Sequence, residues 1–396
     1  MKIAIIGTGI AGLGAAYALS RLHDVELFEA NGHVGGHANT VTHDALELDT
    51  GFLVHNEENY PNLTRLFREL GVETQPSEMS FALSCGCGLE WSSRRPWHAG
   101  PRLLREILRF LRTAGEADAD GKSFDRFLRD EGYSESFRRH YLVPMTAALW
   151  STAPGDALEV PAAYGIDFFR NHSMLGLRRS RWRTVTGGSR TYVRALLERI
   201  GADVQLAAPV RSLVRTNAGV DVRTADGVLR AFDGVVVATS APRARALLED
   251  AAVDEHAMLS AFETTTNETV LHTDARLLPR RTSDRCSWNY QSPGCGVQAA
   301  RPSLTYSLNR LQKLNTEVEY CVTLNRTDEI DDSAVIRTFD YEHPRMTFAS
   351  LAAAERARVR GVVGHTAFAG AWQGNGFHED GLASGLRAAA AFGAPS

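Results

Sequence analysis

The sequence predicts an α/β fold, a doubly wound parallel-sheet domain into which a mixed α+β domain is inserted. Three stretches lead there. An apolar run, Ile3 to Ile6, stops at Gly7-Thr-Gly9-Ile-Ala-Gly12, an alanine-rich stretch continues to Leu22, and Val25-Glu26-Leu27-Phe28 ends at Glu29. That reads as strand, glycine turn, helix and strand, with an acid about twenty residues after the first glycine. A second buried run, Val235-Val236-Val237-Ala238, turns at Thr239-Ser240-Ala241-Pro242. Near the carboxy end, Ala367-Phe-Ala369 leads through a glycine-rich loop to a helix expected from about Gly381. Together these describe a Rossmann-like sheet assembled from distant pieces of the chain.

Between these pieces the elements follow in order. Leu63, Leu66, Phe67 and Leu70 share one face of a helix from Pro61, and Gly71 ends it. Residues 100–150 read as mostly helical, and the Pro-, Gly- and Arg-rich residues 151–183 as a crossing between domains. A helix begins near Ser189 and ends at Gly201, followed by strands at 203–206, 210–215, 220–224 and 228–232. Residues 264–345 lean to β structure, with segments at 269–273, 304–308 and 319–324. The expected domains are 1–60, 184–263 and 346–396 for the Rossmann-like part, and 61–183 with 264–345 for the insert.

The 396 residues are 44% hydrophobic and 23% charged, ordinary for a folded enzyme. With 43 basic and 47 acidic side chains the net charge is −4, which gives no electrostatic reason to expect nucleic acid. Lysine occurs only at Lys2, Lys122 and Lys313, and the other basic residues are arginine. Cys85, Cys87, Cys286, Cys295 and Cys321 form no Cys-x-x-Cys pair, so neither a disulfide framework nor a metal site is expected. A first strand that starts at residue 2 leaves no room for a signal peptide, and the expected location is cytoplasmic.

The glycine motif suits a dinucleotide. Gly7, Gly9, Ile10, Ala11 and Gly12 let backbone approach a pyrophosphate at a helix amino end, and Glu29, followed by Ala30, is placed for the adenosine ribose. Three further features favour FAD. Gly35, Gly36 and His37, in Val34-Gly-Gly-His37, offer a second place for backbone to meet phosphate or flavin. Ala208-Pro-Val210 and 235–240 complete the nucleotide side. The stretch holding Gly370, Ala371, Gly376, Phe377 and Gly381 sets a glycine turn before a helix, whose amino end would stabilise negative charge on a reduced flavin. Gly51 and Phe52 complete the expected cofactor contacts. No cysteine lies in the carboxy-terminal flavin segment, so FAD is expected to bind noncovalently.

The first and last motifs resemble the flavin amine oxidase and phytoene desaturase superfamily. Further segments are similar to one bacterial family of flavoproteins: Asp49-Thr-Gly-Phe-Leu-Val-His-Asn56, Tyr60-Pro-Asn-Leu63, His140-Tyr-Leu-Val-Pro-Met145, Ala148-Leu-Trp-Ser151, Trp182-Arg-Thr-Val-Thr-Gly-Gly-Ser189, Asn309-Arg-Leu-Gln312, His343-Pro344 and Gly376-Phe-His-Glu-Asp-Gly381. Genes of that family often lie beside cyclopropane-fatty-acid synthase-like methyltransferases. The resemblance implies an FAD oxidoreductase that desaturates a lipidic acyl chain, with a methyltransferase as partner. Two positions depart from the superfamily pattern: Ala371 stands where an acid binds the ribityl chain, and His37 where an arginine often follows Gly-Gly.

Hydride transfer to flavin needs at most one protein base. His378 and Glu379 are the candidates, because their loop should lie against the ring. His55 is a weaker candidate, and His140 reads as a core histidine. Three other readings stay open: a redox-neutral double-bond isomerase, an amine oxidase using Trp372 and Phe377 as an aromatic cage, and a non-catalytic flavoprotein partner of a methyltransferase. In residues 101–112, Arg102, Arg105, Arg109 and Arg112 face away from Leu104, Ile107, Leu108 and Leu111, a pattern suited to peripheral contact with the inner face of an anionic membrane or to a solvated helix face.

Overall fold

The computed structural model describes residues 1–175, 180–295 and 301–395. Five parallel strands form the first sheet, in the order Thr366–Phe368, Gly234–Val237, Lys2–Ile6, Asp24–Phe28 and Asp203–Gln205. Alternation along these strands feeds two cores. Ile3, Ile5, Leu27 and Val236 face one layer, while Ala4, Ile6, Phe28, Val235 and Val237 face the other. A sheet covered on both faces explains why these strands read as continuous apolar runs.

The first layer holds the helices Ile10–Leu19, Arg190–Ile200 and His378–Ala391. The first and last of these pack backbone to backbone. A Cβ on Gly385 would overlap the Ala11 carbonyl oxygen, and one on Gly14 would sit 2.6 Å from Leu382 Cδ1. The second layer holds the antiparallel strands Val210–Arg215, Val220–Thr224 and Leu229–Phe232, with a helix over Phe348–Val359.

The other sheet has seven strands, in the order Val335–Pro344, Thr264–His272, Cys321–Leu324, Leu304–Ser307, Trp288–Ser292, Phe81–Cys85 and Glu90–Ser92. Helices from residues 100–171 pack against it through Ile107, Phe110, Phe137 and Phe169.

Three expectations change. The helix Pro61–Leu70 packs through Leu63, Leu66 and Phe67 against Tyr192 and Leu196, within the Rossmann-like core and not with the insert. Residues 151–183 are not a bare crossing. They include the helices Pro154–Glu159 and Ala162–Asn171, held because Ile166, Phe168 and Phe169 are buried in the insert's core. The last helix starts at His378, three residues before the expected Gly381. No helix among the described residues is long and apolar enough to cross a membrane.

Candidate active site

A cavity of about 2290 Å³ runs between the two sheets. At one end lies the turn from Gly7 to Ala11. Gly7 has φ +102°, and a Cβ there would stand 2.6 Å from the Ala238 carbonyl oxygen. A Cβ on Gly12 would overlap the Gly7 carbonyl oxygen, so this glycine closes the turn from behind and does not line the cavity. Gly9 is different. A Cβ there meets nothing within 4 Å, and the residue faces the cavity as the side-chain-free cap of the first helix. The amides that follow have no capping side chain, which suits an anionic diphosphate.

Glu29 stands where expected, and its oxygens are occupied. Oε2 accepts from the Thr8 amide (3.1 Å) and hydroxyl, and Oε1 from the Asn31 amide (2.9 Å) and side chain (3.0 Å). It therefore ties the end of the second strand to the glycine turn, with one edge still on the cavity beside Ala30. Gly36, His37, Gly51 and Phe52 line the next stretch. Gly35 lies behind them, and its amide donates to the Thr8 carbonyl (3.1 Å), locking the second glycine pair onto the first turn. Val210 lines the nucleotide end. Arg211 does too, at a register shift in its strand, and sequence reasoning missed it.

Across the cavity stand Gly370, Ala371, Gly376, Phe377, His378 and Gly381. With Ala371 in place of an acid, a methyl group faces the cavity there. The strand Val335–Pro344 brings Tyr341 and His343 to the same region. Residues two apart in a strand share a face, and His37 stacks on Tyr341 at 4.8 Å and meets His343 edge-on at 5.5 Å. Only the His343-Pro344 pair hinted at these from sequence.

The proposed bases look different in place. His378 stacks on Phe52 at 3.9 Å with the planes 12° apart, and its Nε2 shares a hydrogen bond with the Tyr192 hydroxyl at 2.6 Å. Burial, then the neighbouring His37 and His55, push its pKa down to about 3, so the ring is neutral and a weak proton acceptor near pH 7. The expectation of a base poised near neutrality is corrected. Glu379 does not reach the cavity. Its carboxylate accepts from the Asn62 amide (3.0 Å), the Asn62 side chain (2.6 Å) and the Leu63 amide (3.0 Å), capping the helix Pro61–Leu70. Its catalytic assignment is withdrawn, since an acid fully engaged as a helix cap has no contact with a reacting atom. Asp380 caps the last helix instead, through the Phe377 amide at 3.0 Å. His55 is buried behind Phe52 and Phe67, off the cavity, and burial lowers its pKa to about 4.

Trp372 and Phe377 do not face each other as a cage. Trp372 donates to the Thr239 carbonyl (3.0 Å) and packs edge-on against Phe262, whereas Phe377 stacks on Phe168 at 5.1 Å.

Glycine turns that open onto the cavity at two places, uncapped helix amides at one end and stacked aromatic walls at the other fit a dinucleotide whose second half is a planar ring. The fold and the lining of this cavity fit FAD. The profile of the flavin-containing amine oxidoreductases matches residues 10–276, and the chain belongs to that family. The Mycobacterium tuberculosis protein named as the flavin-containing monoamine oxidase AofH is 28% identical over 280 residues, 63% of this chain and 59% of its own length. The chain thus spans under two thirds of that relative. Among solved structures, an Exiguobacterium protein assigned as a protoporphyrinogen oxidase has a TM-score of 0.72 at 14% identity, covering 99% of this chain and 98% of its own. A fatty acid isomerase of P. acnes that produces CLA has a TM-score of 0.67 at 17% identity, covering 97% and 96%. These two likenesses are of fold.

Proposed function

We propose that the chain dehydrogenates a lipidic acyl chain. The observation that carries this reading is the apolar arm of the cavity, away from the glycine turns, walled by Leu104, Leu108, Leu111, Met145 and Leu149 with Phe168 and Trp288. Such a wall orients a hydrocarbon by burial and offers an ammonium group nothing. Glu78, near its rim, faces Arg94 and Arg310, each at 3.8 Å, so this carboxylate is already matched by cations. Bound FAD would supply the two-electron acceptor and, in going to FADH2, would account for both the hydride and the proton that the substrate gives up from adjacent carbons. Phe52, His378 and Tyr192 form a fixed stacked and hydrogen-bonded wall, whose contribution is orientation and exclusion of water, not proton uptake.

The test is lipid profiling of a host expressing the chain with and without a cyclopropane-synthase-like methyltransferase, the partner we propose, joined to anaerobic mixing of the holoenzyme with its acyl substrate. New unsaturation with bleaching of the flavin supports the reading. Turnover without net bleaching supports the double-bond isomerase, a reading that the fold of the P. acnes enzyme favours. Bleaching by short amines alone would replace both with an amine oxidase.

We further propose that the mouth of this arm rests on an anionic membrane. Leu108 is 41% and Trp97 60% exposed, beside the exposed Arg102, Arg105 and Arg112. Arg109 is excluded from that set, because it donates to the Glu131 carbonyl and lies over the Tyr133 ring at 4.0 Å. Replacing Arg102, Arg105 and Arg112 with glutamine removes about 1 kcal/mol of attraction each. Cosedimentation with anionic liposomes at low salt should fall steeply with flavin content unchanged; wild-type protein that never cosediments ends the proposal.

A further inference from the structure

Away from the cofactor, the fold gathers three of the five cysteines. The strands Phe81–Cys85 and Glu90–Ser92 are joined by a tight turn, in which the Cys85 amide donates to the Leu89 carbonyl and the Gly88 amide to the Cys85 carbonyl, both at 2.9 Å. This turn presents Cys85 and Cys87 from one knuckle. The Gly86 amide donates to the Ser292 carbonyl at 2.9 Å, which draws in the end of the strand Trp288–Ser292 and with it Cys295. The fourth member is His140, within a single π-helical turn over Arg138–Leu142. Such turns re-aim a side chain out of the ordinary helical register and often mark functional positions.

The four ligand atoms lie within 4.8 Å of one another. Cys85 Sγ is 3.8 Å from Cys295 Sγ, and His140 Nε2 is 3.8 Å from Cys87 Sγ and 3.1 Å from Cys295 Sγ. A tetrahedral zinc ion with Zn–S near 2.3 Å and Zn–N near 2.0 Å requires sulfurs about 3.8 Å apart and a sulfur and nitrogen about 3.5 Å apart. We infer that Cys85, Cys87, His140 and Cys295 form a structural zinc site of the Cys3His type.

The surroundings fit that chemistry. His140 Nδ1 lies 3.3 Å from Ser136 Oγ, a partner that can accept the Nδ1 proton and so leave the Nε2 lone pair for metal. On binding, three S–H bonds are exchanged for three Zn–S bonds and the protons pass to solvent. Three thiolates and a neutral imidazole around a dication leave one negative charge, and Arg139 donates to the Cys295 carbonyl beside it. Four protein ligands fill the tetrahedron, so the site holds structure and binds no substrate. What it braces is the cavity wall: the Trp91 indole N–H donates to the His140 carbonyl at 3.0 Å, and Trp91 stacks on Tyr141 at 5.9 Å, both residues facing the cavity.

The test is elemental analysis of the tag-free holoenzyme after dialysis against metal-free buffer, with about one zinc per chain expected. Titration with an organomercurial should release that zinc to a chromophoric chelator while the flavin stays bound. Cys87→Ser and Cys295→Ser should each lower the zinc to background. If those variants fail to fold, cobalt(II)-substituted wild type keeps the proposal testable, since tetrahedral thiolate coordination gives ligand-field bands in the red, clear of oxidised flavin. Zinc-replete growth that yields no bound metal overturns the proposal. So does mass spectrometry of unreduced, alkylated protein that finds Cys85 and Cys295 joined as a disulfide.

Discussion

The two ends of the cavity are built from different materials. At the nucleotide end the walls are backbone: Gly7, Gly9 and Gly36 with the uncapped amides of the first helix, backed by a sheet buried on both faces. At the other end the walls are side chains, Leu104, Leu108, Leu111, Met145 and Trp288, carried on the seven-stranded sheet and the helices over it. Backbone contacts are the same for any residue without a Cβ and fail when one is added. Side-chain contacts can be exchanged one at a time. The first end should therefore respond to mutation by losing its cofactor, and the second by changing its substrate.

The largest effects should come from two glycines that look alike in sequence. Gly12→Val drives a branched side chain into the Gly7 carbonyl, and no soluble folded protein is expected. Gly9→Val has open space around its Cβ in the free chain and takes it from the pyrophosphate. It should fold, with an unchanged far-ultraviolet circular dichroism spectrum, and carry no FAD. A Gly9→Val protein that purifies yellow would erase the distinction between these positions.

A smaller effect concerns pH and sharpens the contrast in another way, because the buried histidines lie on both sides. Burial lowers His343 and His378 to about 3, and His55 and His272 to about 4. In the unfolded chain these groups take protons near pH 6.5. Between these values the unfolded state binds more protons, so their stabilisation is complete above about pH 6.5 and is lost as pH falls toward 4. Asp49 works in the opposite direction: its pKa is raised to about 6, chiefly by burial, so its contribution grows on acidification and offsets part of the loss. Each histidine's loss amounts to about 2 kcal/mol at pH 5. The melting temperature of the holoenzyme should drop by roughly 5 °C or more between pH 7 and pH 5, and less in His378→Gln. A flat profile would mean that these rings are hydrated.

The same contrast governs how much could be read in advance. Backbone-built features leave glycines at fixed spacings, so Gly7, Gly9, Gly12, Gly36 and the Gly376 to Gly381 loop were legible without the fold. The sheet's inner strands were legible too, because burial on both faces writes unbroken apolar runs, whereas their order was not. Features assembled by side chains from distant segments were not. Glu379 read as a loop acid beside the ring because nothing local shows that the Asn62 and Leu63 amides come to meet it. His378 read as a poised base because its partners Phe52 and Tyr192 lie far away in the chain. Cys85, Cys87, His140 and Cys295 carry no local metal-binding spacing, and only the seven-stranded sheet and the π-turn bring them together.

One measurement tests the central claim, that backbone holds the cofactor while an apolar arm selects an acyl chain. Holoenzyme, a Leu108→Arg, Met145→Arg double variant and His378→Gln are mixed anaerobically with the acyl substrate, and flavin bleaching is followed by stopped flow. The double variant should keep its full FAD content yet bleach at least about a hundredfold more slowly, since two apolar contacts lining the arm are exchanged for charge. His378→Gln should bleach within about tenfold of wild type, as a group that orients without taking a proton. Bleaching by the double variant at the wild-type rate, or a hundredfold loss in His378→Gln alone, would contradict this division of the cavity.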